Sequence, residues 1–324
     1  MLRPKVVVLS TMSPEQADIF RSFAPEDIDV VFVDNGLTDI KKIPECQDAE
    51  AIILVGMNIT TNLIQACPRI KLLQTISAGF NHLPLAVMSE MGIPVANNGG
   101  ANRVAAAEET VGLMLGVHRG IMLHWRSAKN KLWRDQVRGM TFGEVSGKTV
   151  GIVGLGRIGR EVARRLIGFG TRTLYYDVIQ LSPQAEDELH VTRVSYDKLL
   201  RMSDFVTFHV PLQDSTWHML GRRELGLMKT TAYIINTSRG SVVDEKALIQ
   251  ALLDKRIAGA GLDVLEEEPT PGSNPLLEMD NVFITPHMAG FTKESTERGA
   301  TFAFANARRA VMGEPLESLV GLES

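Results

Sequence analysis

Short apolar runs alternate with amphipathic segments along the whole chain. Up to about residue 100 the runs are KVVVLS, VVFV, AIILVG, KLLQTIS and IPVANN, separated by polar or helix-like stretches. Such alternation predicts βαβ units around a parallel sheet. A second series begins near residue 148 with KTVGIVGLG, TLYYD, FVTFHV, AYIINTS, AGAGLDV and NVFITPH. The pattern therefore predicts an α/β protein with two doubly wound parallel-sheet domains.

Two helical stretches lie outside these series. Residues 102–130, NRVAAAEETVGLMLGVHRGIMLHWRSAKN, are rich in helix formers and follow a loop of asparagines and glycines, which predicts one long helix. The segment ESTERGATFAFANARRAVMGEPL predicts a last helix ending near Gly313, with Pro315 beyond it. We expect the chain to change domain near residues 97–102 and near His287. Residues 1–100 and 288–324 would then form one domain and residues 101–287 the other.

Composition narrows the class of protein. The 324 residues are 44% hydrophobic and 22% charged, as in globular proteins large enough for two cores. The net charge is −4 and no basic stripe is present, which argues against a nucleic-acid partner. The apolar runs are far shorter than the ~20 residues of a membrane span. The N-terminal run is typical of a strand and not of a signal peptide.

The two cysteines, Cys46 and Cys67, form no metal-binding pattern with each other or with histidines. We expect no metal and a reduced, cytoplasmic protein.

A glycine-rich loop follows the first strand of the second series. VGIVGLGRIG at residues 150–159 places Gly154, Gly156 and Gly159 in the pattern G-x-G-x-x-G between a strand and a helix-like segment. The first glycine permits a tight turn, the second lets the backbone approach a pyrophosphate, and the third lets helix and strand pack closely. In this context the motif predicts a dinucleotide site.

The next strand of that series ends at an acidic residue. Asp177 lies 18 residues after Gly159, where its carboxylate can accept hydrogen bonds from the adenosine ribose. The same charge would repel a 2′-phosphate, and the following residues, Val178 and Ile179, offer no arginine to bind one. We expect NAD to be preferred to NADP.

Three ionisable residues each follow a predicted strand of the second series. Arg239 follows AYIINTS, Glu268 follows GAGLDVL, and His287 follows NVFITP. Ligands of open α/β sheets bind at the carboxyl ends of the strands, so these side chains are expected at the ligand edge. A 2-keto acid dehydrogenase needs a cation for the substrate carboxylate, a proton donor for the carbonyl oxygen, and a group that holds the donor. Arginine, histidine and glutamate supply one each.

The motifs resemble a known family segment by segment. INTSRGSVVDEKALIQAL, AGAGLDVLEEEP, NPLLEMDNVFITPHMAG and HVPLQDSTWHML are similar to the D-isomer-specific 2-hydroxyacid dehydrogenases, which include glyoxylate/hydroxypyruvate reductases and 3-phosphoglycerate dehydrogenases. The resemblance extends over nearly the whole chain, from SAGFNHL to GEPLESLV. It implies a Rossmann NAD-binding domain inserted into a flavodoxin-like substrate domain, with the active site in the cleft between them. It also implies a homodimer that pairs through the Rossmann domain and the long helix.

The resemblance implies a role for individual residues. Arg239 would bind the substrate carboxylate and carbonyl, His287 would be the acid/base, and Glu268 would hold and charge that histidine. The implied carboxylate-binding loop consists of the backbone amides of Ser77, Ala78 and Gly79. The implied cofactor-binding residues are Gly154, Gly156, Arg157, Ile158, Gly159, Asp177, His209, Pro211, Thr237 and Asp263, the last near the nicotinamide carboxamide.

One departure narrows the substrate. The phosphoglycerate enzymes of this family carry a basic residue just after their third strand, which holds the substrate phosphate. At the corresponding positions this chain has Gly56, Met57 and Asn58, none of which is basic. We therefore expect glyoxylate or hydroxypyruvate to be preferred to 3-phosphohydroxypyruvate.

Other functions remain open beside this one. D-3-phosphoglycerate dehydrogenase is one alternative. Another is a non-enzymatic NAD-sensing scaffold like the corepressors that resemble this family, although those carry extra flanking segments. Two other enzyme classes match this chain less well. Formate dehydrogenases have glutamine in place of Glu268, and phosphite dehydrogenases have a lysine in the loop at residues 77–79.

Overall fold

The chain divides into two compact units, each built around its own sheet. The computed structural model describes residues 3–56 and 58–321. Unit 1 contains the described residues up to Asn102 and from Phe291 onward, and unit 2 is Arg103–Gly290. Two parallel-sheet α/β units confirm the predicted fold class.

Strands and helices alternate in unit 1 as the apolar pattern predicts. The elements before residue 100 are β1 (Lys5–Ser10), α1 (Pro14–Arg21), β2 (Asp29–Asp34), α2 (Asp39–Cys46), β3 (Ala51–Leu54), α3 (Thr61–Gln65), β4 (Leu73–Thr75), α4 (Leu85–Glu90) and β5 (Val95–Ala96).

Unit 2 begins with two helices and continues as a second alternating series. Its elements are α5 (Arg103–His118), α6 (Ile121–Lys129), β6 (Thr149–Val153), α7 (Arg157–Ile167), β7 (Arg172–Tyr176), α8 (Pro183–Glu188), β8 (Val191–Arg193), α9 (Tyr196–Met202), β9 (Phe205–Phe208), α10 (Arg222–Leu225), β10 (Tyr233–Asn236), α11 (Glu245–Leu253), β11 (Gly259–Leu262) and β12 (Val282–Ile284). The chain then resumes unit 1 with α12 (Lys293–Met312) and β13 (Leu319–Val320).

The sheet of unit 2 is entirely parallel. Its strand order is β12-β11-β10-β9-β6-β7-β8, and every neighbouring pair runs in the same direction. All of its strands therefore end at one edge. The glycine loop after β6 and the segments after β7, β10, β11 and β12 share that edge.

The sheet of unit 1 has the order β13-β5-β4-β3-β1-β2, parallel except for β13, which pairs antiparallel with β5. Its central strands β1 and β3 are buried on both faces and are nearly continuous aliphatic runs, whereas the neighbouring β4 buries the polar Gln74 and Thr75. The small residues of α12 pack against one face, and Phe304 lies 5.3 Å from Phe20 between ring centroids. The last helix thus belongs to the core of unit 1.

The single long helix predicted for residues 102–130 is wrong, because α5 and α6 are separate helices. Gly120 between them is left-handed, with φ of 60°, and a Cβ at this position would lie 2.1 Å from a ring carbon of Phe142. A helix cannot continue through that conformation.

Three smaller features also differ from the sequence expectation. The apolar pattern did not predict β8 and β13, which are only three and two residues long and carry exposed positions. The helix of the glycine motif ends at Ile167, and the left-handed Gly170 lies in the turn beyond it. Short edge strands bury too few side chains to leave a periodic signal.

Candidate active site

Arg239 is held in a turn that Asn236 organises at the end of β10. The Asn236 side chain accepts from the backbone N–H of Ser238 at 3.0 Å and donates to the Arg239 carbonyl at 2.9 Å. Directly afterwards, Gly240 packs so closely on the next loop that a Cβ would lie 1.9 Å from the Leu265 carbonyl oxygen. Any larger residue would separate the Arg239 loop from the loop that carries Glu268.

Glu268 and His287 form the central pair of the site. The His287 Nδ1 and a Glu268 carboxylate oxygen are 2.6 Å apart, and the other carboxylate oxygen accepts from the Leu265 amide at 3.0 Å. The side chains remain 34% and 32% exposed. Because Nδ1 is engaged, Nε2 is the imidazole nitrogen left to face a ligand, and it contacts no hydrogen-bonding partner in the described part of the chain.

The charges of these three residues are coupled. Burial would raise the pKa of Glu268, but the hydrogen bonds from His287 and Leu265, with the charges of His287 and Arg239, bring it below its ordinary value. Burial lowers the pKa of Arg239, and the Glu268 carboxylate opposes that shift. Glu268 is consequently ionised through the neutral range, and it faces the imidazole as a negative charge.

Asp263 fixes the turn that carries His287. Only 2% exposed, its carboxylate accepts from the Thr285 hydroxyl at 2.6 Å and from the amides of Met288 and Ala289 at 2.8 and 2.9 Å. Its carbonyl accepts from the amide of His287, whose φ is 56°. The carboxylate of Asp263 is thus committed to the turn, which gives this residue a positioning part in the structure.

The glycine loop has the shape that a dinucleotide needs. Gly154 has φ of 91°, and a Cβ there would lie 2.8 Å from the His209 backbone. A Cβ on Gly159 would lie 2.2 Å from the Gly154 oxygen, so helix and loop pack at backbone distance. Gly156 is exposed at the start of α7, with nothing within 4 Å of its would-be Cβ. Open space above the N-terminus of an 11-residue helix suits a pyrophosphate.

The other residues expected at the cofactor differ in their surroundings. Asp177 accepts from the Leu155 amide at 2.6 Å and from the Ile179 amide at 2.9 Å, which holds its carboxylate beside the glycine loop. His209 is partly buried beside Gly154, and burial lowers its pKa to about 3, so its imidazole is neutral. Its Nε2 pairs with the Thr207 hydroxyl at 3.0 Å.

Four further residues of that set line or flank this edge. Arg157 and Ile158 open α7, and Arg157 is exposed there. The Pro211 carbonyl accepts from the Thr216 hydroxyl at 2.6 Å. Thr237 is buried, and its hydroxyl lies 2.9 Å from the Thr110 hydroxyl on α5, so the side chain is used inside the unit.

In unit 1 the loop after β4 forms hydrogen bonds between its own residues and leaves two backbone amides without an acceptor in the described part of the chain. The Ser77 amide donates to the Thr75 hydroxyl at 3.2 Å, and the Ser77 hydroxyl donates to the Gly79 carbonyl at 2.6 Å. The amides of Ala78 and Gly79 donate to no acceptor among residues 3–56 and 58–321. Of the three residues expected to bind a carboxylate, two therefore offer a donor.

The loop after β3 contains no cation among its described residues. Gly56 has φ of 135°, and the Asn58 carbonyl accepts from the Asn35 side chain at 2.8 Å. Met57, which lies between them in the chain, is outside the described residues.

Three polar residues at the edge of unit 2 were not found from the sequence. Asn236 and Thr285 act only through hydrogen bonds to neighbours, which no motif displays. Arg193 ends β8, a strand that the apolar pattern missed, and its guanidinium reaches the backbone of Asp177. The residues that follow Asp177 in the chain, Val178 and Ile179, provide no arginine, but Arg193 reaches Asp177 from the neighbouring strand.

No helix in the described ranges is both long enough and apolar enough to cross a membrane. Nor do those ranges bring together three histidine, cysteine, aspartate or glutamate side chains that could hold a metal ion. The carboxyl edge of unit 2 brings together an arginine, a glutamate–histidine pair and a glycine loop, the groups that define a nicotinamide-dependent dehydrogenase of 2-keto and 2-hydroxy acids.

Comparison with known proteins agrees with that class. The family model for "D-isomer specific 2-hydroxyacid dehydrogenase, NAD binding domain" matches residues 111–289. The glyoxylate reductase of Korarchaeum cryptofilum is 37% identical over 95% of this chain and 90% of its own. The D-3-phosphoglycerate dehydrogenase of Methanocaldococcus jannaschii is 35% identical over 92% of this chain, which spans 56% of that protein. The crystal structure of a glyoxylate reductase from Paecilomyes thermophila superposes with a TM-score of 0.85 at 29% identity, covering 100% of both chains.

The chain belongs to the D-isomer-specific 2-hydroxyacid dehydrogenase family. This confirms the resemblance drawn from the motifs, the enzyme class and the NAD cofactor.

Proposed function

We propose that this enzyme reduces glyoxylate or hydroxypyruvate with NADH to the corresponding hydroxy acid, of D configuration where the product is chiral. The observation that carries the proposal is the His287–Glu268 pair beside Arg239, at the carboxyl edge that also holds the glycine loop. The names of relatives such as the Korarchaeum glyoxylate reductase support a small keto acid as substrate.

Each of the three residues has a separate task in this proposal. Arg239 neutralises the substrate carboxylate and polarises the carbonyl through its fixed donors. The reduced nicotinamide, when bound, supplies the hydride to the carbonyl carbon. His287 Nε2 donates the proton to the carbonyl oxygen and is then reprotonated from solvent, so that C=O becomes CH–OH. In the reverse direction the neutral imidazole accepts the hydroxyl proton.

The cofactor and carboxylate contacts follow from the residues at the two sites. We assign the pyrophosphate to the loop of Gly154, Gly156 and Gly159, and the adenosine ribose to Asp177. The amides of Ala78 and Gly79 in unit 1 are the donors that we assign to the substrate carboxylate. Their hydrogen-bonding capacity supports this assignment, because a carboxylate is the kind of acceptor that pairs of free amides bind.

Substrate comparison with NADH tests the proposal. We expect glyoxylate and hydroxypyruvate to give a higher kcat/KM than 3-phosphohydroxypyruvate, because neither Gly56 nor Asn58 provides a charge for a phosphate. Chiral analysis of the product from hydroxypyruvate should find the D isomer. Preference for the phosphorylated substrate would favour a phosphoglycerate dehydrogenase, and the absence of turnover with every keto acid would favour an NAD-sensing scaffold.

We further propose that two copies pair through the apolar surface of residues 121–140 in unit 2. In α5 only Glu108 and Gly112 are exposed, whereas α6 and the segment after it expose large apolar side chains. Trp133 is 76% and Trp125 is 55% exposed. Contiguous apolar exposure of this kind is typical of an interface. The exposed members are Ile121, Met122, Trp125, Leu132, Trp133 and Met140.

Light scattering after size exclusion tests the pairing. The unaltered chain should elute as a dimer, and Trp125→Lys with Trp133→Lys should shift it to a monomer. Trp217→Lys is the matched control, since Trp217 is 59% exposed elsewhere in unit 2. A monomeric unaltered chain, or a dimer that the control disrupts equally, contradicts the proposed surface.

A cytoplasmic location fits the state of the cysteines. Cys46 and Cys67 are both buried and free, and burial raises the pKa of Cys46 to about 11 and that of Cys67 to about 12. Such thiols resist oxidation but give no disulfide stabilisation. Fractionation of the source cells should recover the protein with cytosolic markers, and recovery with secreted proteins would contradict this location.

A further inference from the structure

A cation lies beside the proposed ribose site, on a strand that the sequence pattern did not predict. Arg193 is the last residue of β8 and is paired in register with Tyr175 of β7. Its guanidinium donates to the backbone carbonyl of Asp177 at 3.0 Å and to the Gln180 side chain at 3.0 Å. The positive charge therefore reaches across the carboxyl end of β7.

The surroundings of Arg193 leave room for a ligand group. An open groove of about 420 Å³ is lined by Tyr176, Gln180, Arg193, Val194 and Ser195. Both acceptors of the guanidinium are neutral, and no carboxylate in the described ranges forms an ion pair with it. Arg193 thus keeps its charge uncompensated, at the edge of the sheet where the cofactor binds.

Two opposite charges then act on the same part of the cofactor. The Asp177 carboxylate, fixed by the Leu155 and Ile179 amides, repels a phosphate on the ribose 2′ position. The guanidinium of Arg193 attracts a phosphate and can bind it with two parallel donors. A phosphate in the groove would replace the neutral Gln180 amide as a partner of that guanidinium.

We propose that Arg193 is a cofactor-specificity residue that binds an adenosine 2′-phosphate, and that the Asp177 carboxylate alone keeps the site selective for the unphosphorylated nucleotide. The inference rests on the proposed contact between Asp177 and the adenosine ribose. It predicts that removing one charge, without adding a new cation, opens the site to 2′-phosphorylated nucleotides.

Calorimetric binding of two nucleotides tests the proposal without turnover. The probes are AMP and adenosine 2′,5′-bisphosphate, titrated into the full chain and into its variants, with NADH and NADPH as a second pair. In Asp177→Ser we expect adenosine 2′,5′-bisphosphate to bind at least about tenfold more tightly than in the unaltered chain, the size of one charge-assisted hydrogen bond. AMP should bind within a fewfold of its original affinity.

Second substitutions in the Asp177→Ser background identify the cation. Arg193→Gln should remove the gain, and Arg193→Lys should keep part of it, because lysine retains the charge but not the two parallel donors. Arg172→Gln is the matched control, since this exposed arginine begins β7 at the opposite edge of the sheet. Arg157→Gln examines the other exposed arginine near the loop, and we expect it to weaken AMP and the bisphosphate equally.

The outcomes separate this inference from the proposed function. If the gain survives Arg193→Gln, or disappears selectively with Arg157→Gln, then Arg193 is not the specificity residue while the cofactor site stands. If Arg193→Lys loses as much as Arg193→Gln, the residue acts by supporting the Asp177 backbone and the inference is wrong. If the unaltered chain binds neither AMP nor NADH, the assigned cofactor site itself fails.

Discussion

The two units present different chemistry at the carboxyl edges of their sheets. In unit 2 that edge carries the ionisable residues Asp177, Arg239, Glu268 and His287, each after a strand or the loop that follows one. In unit 1 the loop at residues 77–79 offers two backbone amides and contains no ionisable side chain. The candidate residues are thus ionisable side chains in one unit and backbone amides in the other.

The difference shows which part of a site the backbone can supply. Fixed amides bind an anion but exchange no proton at neutral pH, so the loop at residues 77–79 can hold a carboxylate but does no acid–base chemistry itself. The edge of unit 2 holds an imidazole whose partner, Glu268, has a pKa below its ordinary value. We therefore expect substitutions in unit 2 to change the reaction step and substitutions in unit 1 to change substrate binding.

The largest effect is expected from His287→Ala in unit 2. Loss of the proton donor should lower kcat for keto-acid reduction by roughly 10² to 10⁴. The affinity for NADH, measured by fluorescence titration, should change little. A variant that keeps its full kcat would remove His287 from the reaction.

A smaller effect is expected from Ala78→Pro in unit 1, which deletes one of the two free amides. A hydrogen bond to a charged group contributes about 1.5–3 kcal/mol, so kcat/KM for glyoxylate should fall roughly 10- to 100-fold, mainly through KM. An unchanged melting temperature and an unchanged Kd for NADH are the controls. If KM for glyoxylate stays the same in a folded variant, the loop at residues 77–79 does not hold the carboxylate.

The smallest effect is expected when NADH binding is compared between alanine variants of two left-handed glycines in unit 2. Gly154→Ala puts a Cβ 2.8 Å from the His209 backbone, whereas Gly170→Ala, at φ of 61°, meets nothing within 4 Å. Both alanines carry the strain of about 1–3 kcal/mol in the free energy of unfolding. Only Gly154→Ala should also weaken NADH binding. Equal loss of NADH affinity in both variants would show that backbone strain, and not the loop, causes it.

The fold was predictable from the sequence, and so was the position of Arg239, Glu268 and His287 at one edge of a sheet, because each leaves a local pattern. Fully buried strands such as β3 and β6 are continuous apolar runs, and the glycine loop has fixed spacing. Arg239, Glu268 and His287 lie in the segments that follow β10, β11 and β12, and parallel strands bring their carboxyl ends together.

The features that could not be predicted from the sequence depend on contacts between distant segments of the chain. The break at Gly120 follows from the packing of Phe142, more than 20 residues later. Asn236 and Thr285 orient their loops through side-chain hydrogen bonds, and Arg193 comes from a three-residue edge strand. None of these residues belongs to a motif of fixed spacing in the sequence.

The pH dependence of Glu268→Gln tests the central claim most directly. Glutamine keeps the shape and a hydrogen-bonding group but carries no charge, so the negative charge that favours the protonated form of the proton donor is lost. The alkaline limb of kcat/KM for keto-acid reduction should move down by about one pH unit, equivalent to about 1.4 kcal/mol, and the acidic limb for hydroxy-acid oxidation should move the same way. If both limbs stay in place while His287→Ala abolishes turnover, Glu268 is not the charge partner of the acid/base, and the account of the site is contradicted.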